Sequence, residues 1–303
     1  MSSKISGIII PAITPFDEVG EIDYTRMEKN YNKWCSTNIC GVMALGSNGE
    51  FRSLSDDEAF AVISKASGLV PADKIFIAGV GRESLYQTKA FIKRLQNADL
   101  RIDYVSVLTP SYFAGLMTDK ALYEYYTELA DFSKWPLLLY CAPKFTNKVC
   151  ISADLLSKLA DHPNIAGIKD TSSDMMEEYM QACGSRADFQ VISGSLGNIM
   201  TCLGMGGHAG VVSGANYFPS ECAKLIEVFD KKGFEATREY HKKLQFLTKS
   251  TGAISGVASV KCAMNLNGLY GGFPRKPILP VSPETFETIA DNMRKYANNT
   301  LFD

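Results

Sequence analysis

Short, continuously apolar runs bounded by turn residues recur along the chain: Gly7–Thr14, Cys40–Gly46, Lys74–Val80, Tyr104–Pro110, Pro136–Pro143, Ile165–Asp170, Phe189–Ser195 and His208–Gly214. They lack polar alternation, which predicts parallel strands buried on both faces. Between them the apolar positions follow a helical period, and start signals precede most of the helical segments. Asp23 stands before YTRMEKNYNKWC, and Ser55-Asp-Asp-Glu58 is a capping box ahead of AFAVISKASGLV. Ser84, Thr118 and Ser152 open the next three helices, Asp174 or a neighbour the one after, and Ser220 caps ECAKLIEVFDKK. Eight strand–helix units over about 215 residues predict an α/β fold, a (β/α)8 TIM barrel. A doubly wound open sheet is the rival, but Gly7–Asp17 carries no glycine-rich phosphate turn.

From Ser220 onward the chain is helical and shows no further strand pattern, so residues 1–219 are expected to form the barrel and 220–303 a helical extension packed on it. Composition changes this picture little. At 46% hydrophobic and 21% charged, the 303 residues are an ordinary globular chain, which needs no disulfide or metal staple. The net charge of −2 argues against nucleic acid or a membrane surface as partner. No apolar run reaches the ~18 residues of a membrane span and no signal cleavage site appears, so a cytoplasmic location is expected. Eight cysteines without a CxxC pair or zinc spacing read as small buried thiols.

In such a barrel the chemistry sits at the carboxyl ends of the strands. Lys169 closes the sixth run, in AGIKDTSSD. Partial desolvation at the barrel mouth would leave a fraction of neutral amine, able to attack a ketone and form a Schiff base whose iminium is an electron sink. The same spacing equally describes a strand-end lysine paired with Asp170 at the surface. Tyr140, in LLLYCAP, is a proton shuttle if it stands beside that lysine and a core tyrosine otherwise. Gly46-Ser47-Asn48-Gly49-Glu50 is either a nest for a carboxylate or a plain turn. Gly194 permits close backbone approach to a ligand or simply a tight turn. Tyr112-Phe113 lines the mouth, meets another subunit or folds onto its own barrel. His162, His208 and His241 form no ligand cluster, so no metal is expected.

Together these motifs resemble the dihydrodipicolinate synthase / N-acetylneuraminate lyase family of class I pyruvate aldolases. The likeness runs through GIIIPAITPFDEVGEID, GSNGE, GVGRES, LTPSYF, LLLYCAP, GIKDTSSD, SGS, GVVSGAN and GLYGGFPRKP. The resemblance implies a Schiff base on Lys169, proton transfer by Tyr140, carboxylate capture by Ser47 and Asn48, and a backbone contact at Gly194. It also implies an apolar wall near Val212, and Tyr112 reaching a neighbouring subunit of a homotetramer built from dimers. No cofactor beyond the lysine imine is implied. GSNGEF, the loop after LTP and KDTSSD look most like the 4-hydroxy-2-oxoglutarate aldolase branch.

The synthases carry a carboxylate-gripping arginine where this chain has Phe145, which speaks against condensation with aspartate semialdehyde. The hydroxyoxoglutarate aldolases have asparagine there, and glycine where this chain has Asn147. Lys144, next to Phe145, is either a point charge for substrate or solvent-facing. The reading is therefore a Schiff-base aldolase acting on pyruvate and a 2-oxo-4-hydroxy acid, or a 2-keto-3-deoxy sugar acid. Dihydrodipicolinate synthase and a non-catalytic pyruvate-binding barrel are the alternatives.

Overall fold

The computed structural model describes residues 5–172 and 174–298. Among these, the chain forms eight strands: β1 (Gly7–Pro11), β2 (Gly41–Ala44), β3 (Ile75–Gly79), β4 (Tyr104–Leu108), β5 (Leu137–Cys141), β6 (Ile165–Asp170), β7 (Gln190–Ser193) and β8 (Ala209–Val211). They follow one another in a closed barrel, as the strand–helix alternation predicts. Each strand is followed by a helix: α1 (Tyr24–Cys35), α2 (Asp56–Leu69), α3 (Leu85–Gln96), α4 (Asp119–Phe132), α5 (Ala153–Leu159), α6 (Met176–Cys183), α7 (Ile199–Gly204) and α8 (Pro219–Lys249), which kinks at Gly233, a residue of φ +78°. The helical extension expected from Ser220 onward takes in α8 and adds α9 (Val257–Leu266) and α10 (Pro283–Asn298). Every residue of β2, β4, β5 and β8 is buried, which is why those runs are apolar without alternation. Most strands are shorter than the apolar runs, because burial continues past the strand ends into residues such as Thr109 and Val212.

The helix starts follow the caps read from sequence. Asp23, Ser84, Thr118 and Ser152 each accept a backbone N–H three residues on, and Ser55 and Glu58 close a reciprocal capping box. Such a cap contributes about 1 kcal/mol. One expected cap is corrected. Ser220 does not cap α8, because Pro219 already occupies the first helical turn, where its missing N–H costs nothing. For α6, expected to open at Asp174 or a neighbour, the neighbour Met175 holds the cap position, and the Ser172 hydroxyl accepts its N–H at 3.0 Å.

Two compact units share the chain, one made of Ile75–Val211 with Ile5 and Ser6, the other of Gly7–Lys74 with the chain from Val212 onward. In the first, Leu108, Tyr140, Lys169 and Ile192 lie level with one another across β4–β7. In the second, β1 pairs with β2, and the buried amide of Asn216 knits strand end to loop. Its Nδ2 donates to Pro11 O and Ser213 O at 2.9 and 3.1 Å, and its Oδ1 accepts the Ile13 N–H at 3.1 Å. Arg275 does the same with charge. Its guanidinium forms a two-point bond with Glu58 at 2.6 and 3.0 Å and reaches Gly20 O and Ser53 O. Among the described residues no helix is long and apolar enough to cross a membrane.

Arg275 holds the Glu58 carboxyl down at about 2. A carboxylate depressed in the folded state stabilises above its unfolded value and loses that contribution as pH falls through the folded one. In Glu58→Gln the capping geometry is retained and the charge is lost. This variant is expected to be less stable than the native chain by on the order of 1 kcal/mol at neutral pH, the pair being partly solvated. The gap closes between about pH 4.5 and about pH 2. Thermal unfolding over a pH series checks this, and a pH-independent gap overturns it.

Candidate active site

Within Ile75–Val211, strand register decides which side chains meet. Tyr140 and Lys169 are ladder partners on β5 and β6, so they project from the same face. The Lys169 ammonium lies 4.0 Å from the centroid of the Tyr140 ring, and the two residues are only 4% exposed. Asp170, one residue on, projects from the opposite face and is fully buried. Its carboxylate accepts the Ser172 N–H at 2.9 Å and the Ser172 hydroxyl at 2.8 Å, while burial raises its pKa against those bonds. The surface pairing of Lys169 with Asp170 is thereby excluded. What remains is a buried amine stacked on a phenol ring at a strand's carboxyl end.

Gly194 lies against the end of β6. Its N–H donates to Asp170 O at 2.6 Å, and a Cβ there would fall 2.2 Å from Thr171 Cγ2 and 2.6 Å from Asp170 O. Only glycine fits without displacing the strand end that carries Lys169. Tyr112 is 77% exposed, its ring edge-on to Phe113 at 4.9 Å, so this pair does not fold back onto its own barrel.

Two residues to which the sequence assigned no such role hold that loop. The Glu83 carboxylate accepts the N–H groups of Ser111 and Tyr112 at 2.8 and 2.9 Å, and the Asn147 amide donates to Ser111 O at 3.0 Å. Glu83 stood in plain view in GVGRES, but its partners lie 28 and 29 positions away. Asn147 has φ +46°, a left-handed conformation that asparagine tolerates better than most residues. Phe145 and Lys144, in the same loop, are exposed.

Within the second unit, Ser47–Gly49 form one 3₁₀ turn after β2. The Gly49 N–H donates to Gly46 O at 3.0 Å, the Glu50 N–H to Ser47 O at 3.1 Å, and the Thr14 hydroxyl to Gly49 O at 2.8 Å. The Asn48 amide donates to the Ser213 hydroxyl at 2.7 Å, which ties it to the residue after Val212. Val212 is fully buried, and its N–H reaches Ile9 O at 3.4 Å.

Glu50, which ends the turn, is a buried charge. Its Oε1 lies 2.5 Å from the Lys261 ammonium and its Oε2 accepts the Arg275 N–H at 2.9 Å. Desolvation pulls Lys261 down to about 8, against the opposing attraction of Glu50. The sequence signal for this pair is a single lysine inside the apolar helix VASVKCAMNL, a residue that cannot be buried without a partner.

Five of the eight cysteines are buried and three half-buried, all as free thiols. Among the described residues no three His, Cys, Asp or Glu side chains gather where they could hold a metal ion.

The Dihydrodipicolinate synthetase family model matches residues 4–295. An uncharacterized DapA-like lyase from Thermococcus kodakarensis is 31% identical, over 90% of this chain and 91% of its own. A probable mitochondrial 4-hydroxy-2-oxoglutarate aldolase from Emericella nidulans is 29% identical, over 92% of this chain and 91% of its own. The crystal structure of dihydrodipicolinate synthase from Aquifex aeolicus superposes with a TM-score of 0.89 at 25% identity, covering 97% of this chain and 98% of that one. The match over nearly the whole length, with lyases and aldolases among the relatives, places the chain in the dihydrodipicolinate synthetase family as a carbon–carbon lyase.

Proposed function

We propose that the chain is a Schiff-base aldolase that releases pyruvate from a 2-oxo-4-hydroxy acid, such as 4-hydroxy-2-oxoglutarate or a 2-keto-3-deoxy sugar acid, or runs that reaction in reverse. The observation that carries the proposal is the buried Lys169 amine, 4.0 Å from the Tyr140 ring centroid at the carboxyl end of β6. The amine attacks the keto carbon, water leaves, and a protonated imine remains. Electrons from the breaking C3–C4 bond flow into the imine as an enamine, and the departing carbon becomes an aldehyde. Protonation of the enamine and hydrolysis of the imine then free pyruvate and the lysine.

Tyr140 moves the proton between the substrate hydroxyl and solvent. Ser47 and Asn48 hold the 2-oxo acid's carboxylate, Gly194 contributes backbone, and Val212 supplies an apolar wall. No metal or further cofactor is called for. Tyr112 reaches into the site of a second copy, in a homotetramer of paired dimers, and its 77% exposure leaves it open to such a contact.

Phe145 supports cleavage of hydroxy-oxo acids over condensation with aspartate semialdehyde. Its ring offers no donor to a second carboxylate, whereas an arginine would grip one at two points. The synthase reading is kept alive by the Aquifex aeolicus structure, whose name carries that activity.

Three outcomes follow. Borohydride with pyruvate should add a covalent pyruvate-derived mass to the peptide containing Lys169. A native protein that stays unmodified removes the mechanism. Tyr140→Phe should leave the thermal unfolding curve in place and cut turnover by about 10²-fold or more; near-native turnover takes the phenol out of the chemistry. In a panel of 2-oxo-4-hydroxy acids and 3-deoxy sugar acids scored by pyruvate release, at least one should be cleaved faster than aspartate semialdehyde is condensed. The reverse order favours the synthase.

A further inference from the structure

The charged cluster around Glu50 has no part in bond making, yet it adjoins the turn assigned to the substrate carboxylate. Lys261 is 1% exposed, in a helix with no other charged residue. Its ammonium lies 2.5 Å from Glu50 Oε1, donates to Phe273 O at 2.7 Å and stands 4.4 Å from the centroid of the Phe16 ring. The Arg275 guanidinium stands 4.3 Å from the same ring centroid, and the Arg275 backbone N–H takes Glu50 Oε2. Glu50 is thus gripped through both oxygens by the segment that follows the barrel.

The backbone of Glu50 gives the grip its meaning. With φ +52° and ψ +37° it lies in the left-handed region, where glycine or asparagine is the inexpensive choice. A glutamate there needs a reason in its side chain, and the only polar or charged partners its carboxylate has among the described contacts are Lys261 and Arg275. The Glu50 N–H in turn closes the Ser47–Gly49 turn on Ser47 O. A shift of the carboxylate therefore moves the peptide that ends the turn. Charge matters as well. An uncompensated carboxylate two residues from Asn48 would repel a substrate carboxylate, and the Lys261 ammonium cancels it.

We propose that Lys261 is a positioning residue: through its ion pair with Glu50 it fixes the Ser47–Gly49 turn and sets the affinity of the site for the 2-oxo acid's carboxylate. This rests on the carboxylate role proposed above for Ser47 and Asn48. It gives the C-terminal extension a part in substrate binding as well as in packing.

The test is borohydride trapping of pyruvate on Lys169 as a function of pyruvate concentration, in the native chain, Lys261→Met, Glu50→Gln and the double variant. Lys261→Met and Glu50→Gln should raise the half-saturating pyruvate concentration tenfold or more, with full loading still reached at saturation. If a single variant fails to fold, the double variant carries the test, since it removes both charges and leaves neither unpaired. Its half-saturating concentration should rise at least fivefold. Folded variants whose half-saturating concentration stays within twofold of native overturn the proposal, as does reduced maximal loading with unchanged half-saturation. Absence of any adduct in the native protein instead overturns the Schiff-base reading, and the proposal with it.

Discussion

One constraint governs the Ile75–Val211 unit: successive residues of a strand project from opposite faces. At the end of β6 it sends Lys169 to one side and Asp170 to the other. Without it the amine would find its nearest carboxylate and be held as an ion pair. Asp170 is turned instead toward Ser172, whose N–H and hydroxyl occupy its oxygens. Lys169 lies against the Tyr140 ring, its ladder partner one strand away. The same register places Ile192 beside Lys169 on the other flank, so the amine is framed by a phenol and an aliphatic chain. Gly194 then takes on a structural meaning, because any side chain there would push against the peptide that fixes this alternation.

What could be read from sequence follows from the range of the physics involved. Strands buried on both faces reveal themselves through local apolarity, and N-caps through residues three positions apart. Ser55 and Glu58 were legible for that reason. Ser220 misled because a hydroxyl before an apolar run is a good cap only where the first turn lacks a better start, and Pro219 supplied one. The partners of the loop clamps were not legible. Glu83 serves Ser111 and Tyr112, Asn147 serves Ser111, and Lys261 serves Glu50 across 211 positions of chain. Each is ordinary in its own neighbourhood, and nothing local announces its partner. Lys261 came nearest to being visible, since a charge in an apolar helix demands compensation.

These clamps also show how a rigid scaffold carries irregular backbone. Glu50, Asn147 and Lys148 all have positive φ, each at a cost of about 1–3 kcal/mol where no side chain compensates. Glu50 and Asn147 offset that cost with long-range bonds from their own side chains. Left-handed residues whose side chains are bonded elsewhere hold a loop in one conformation, which is what a binding turn needs.

The residues that separate the activities within the family are therefore to be sought on the loops and not in the barrel. A synthase structure superposes on this chain over nearly its whole length, so the scaffold does not discriminate. Phe145 is 63% exposed and its side chain cannot donate a hydrogen bond, and the exposed Lys144 beside it is a point charge, not a planar fork. The anchor of their loop is fixed all the same, because Asn147 bonds Ser111, whose N–H is taken by Glu83. On the aldolase reading proposed above, a second substrate meets a loop that is held in place and offers no two-point carboxylate grip at Phe145.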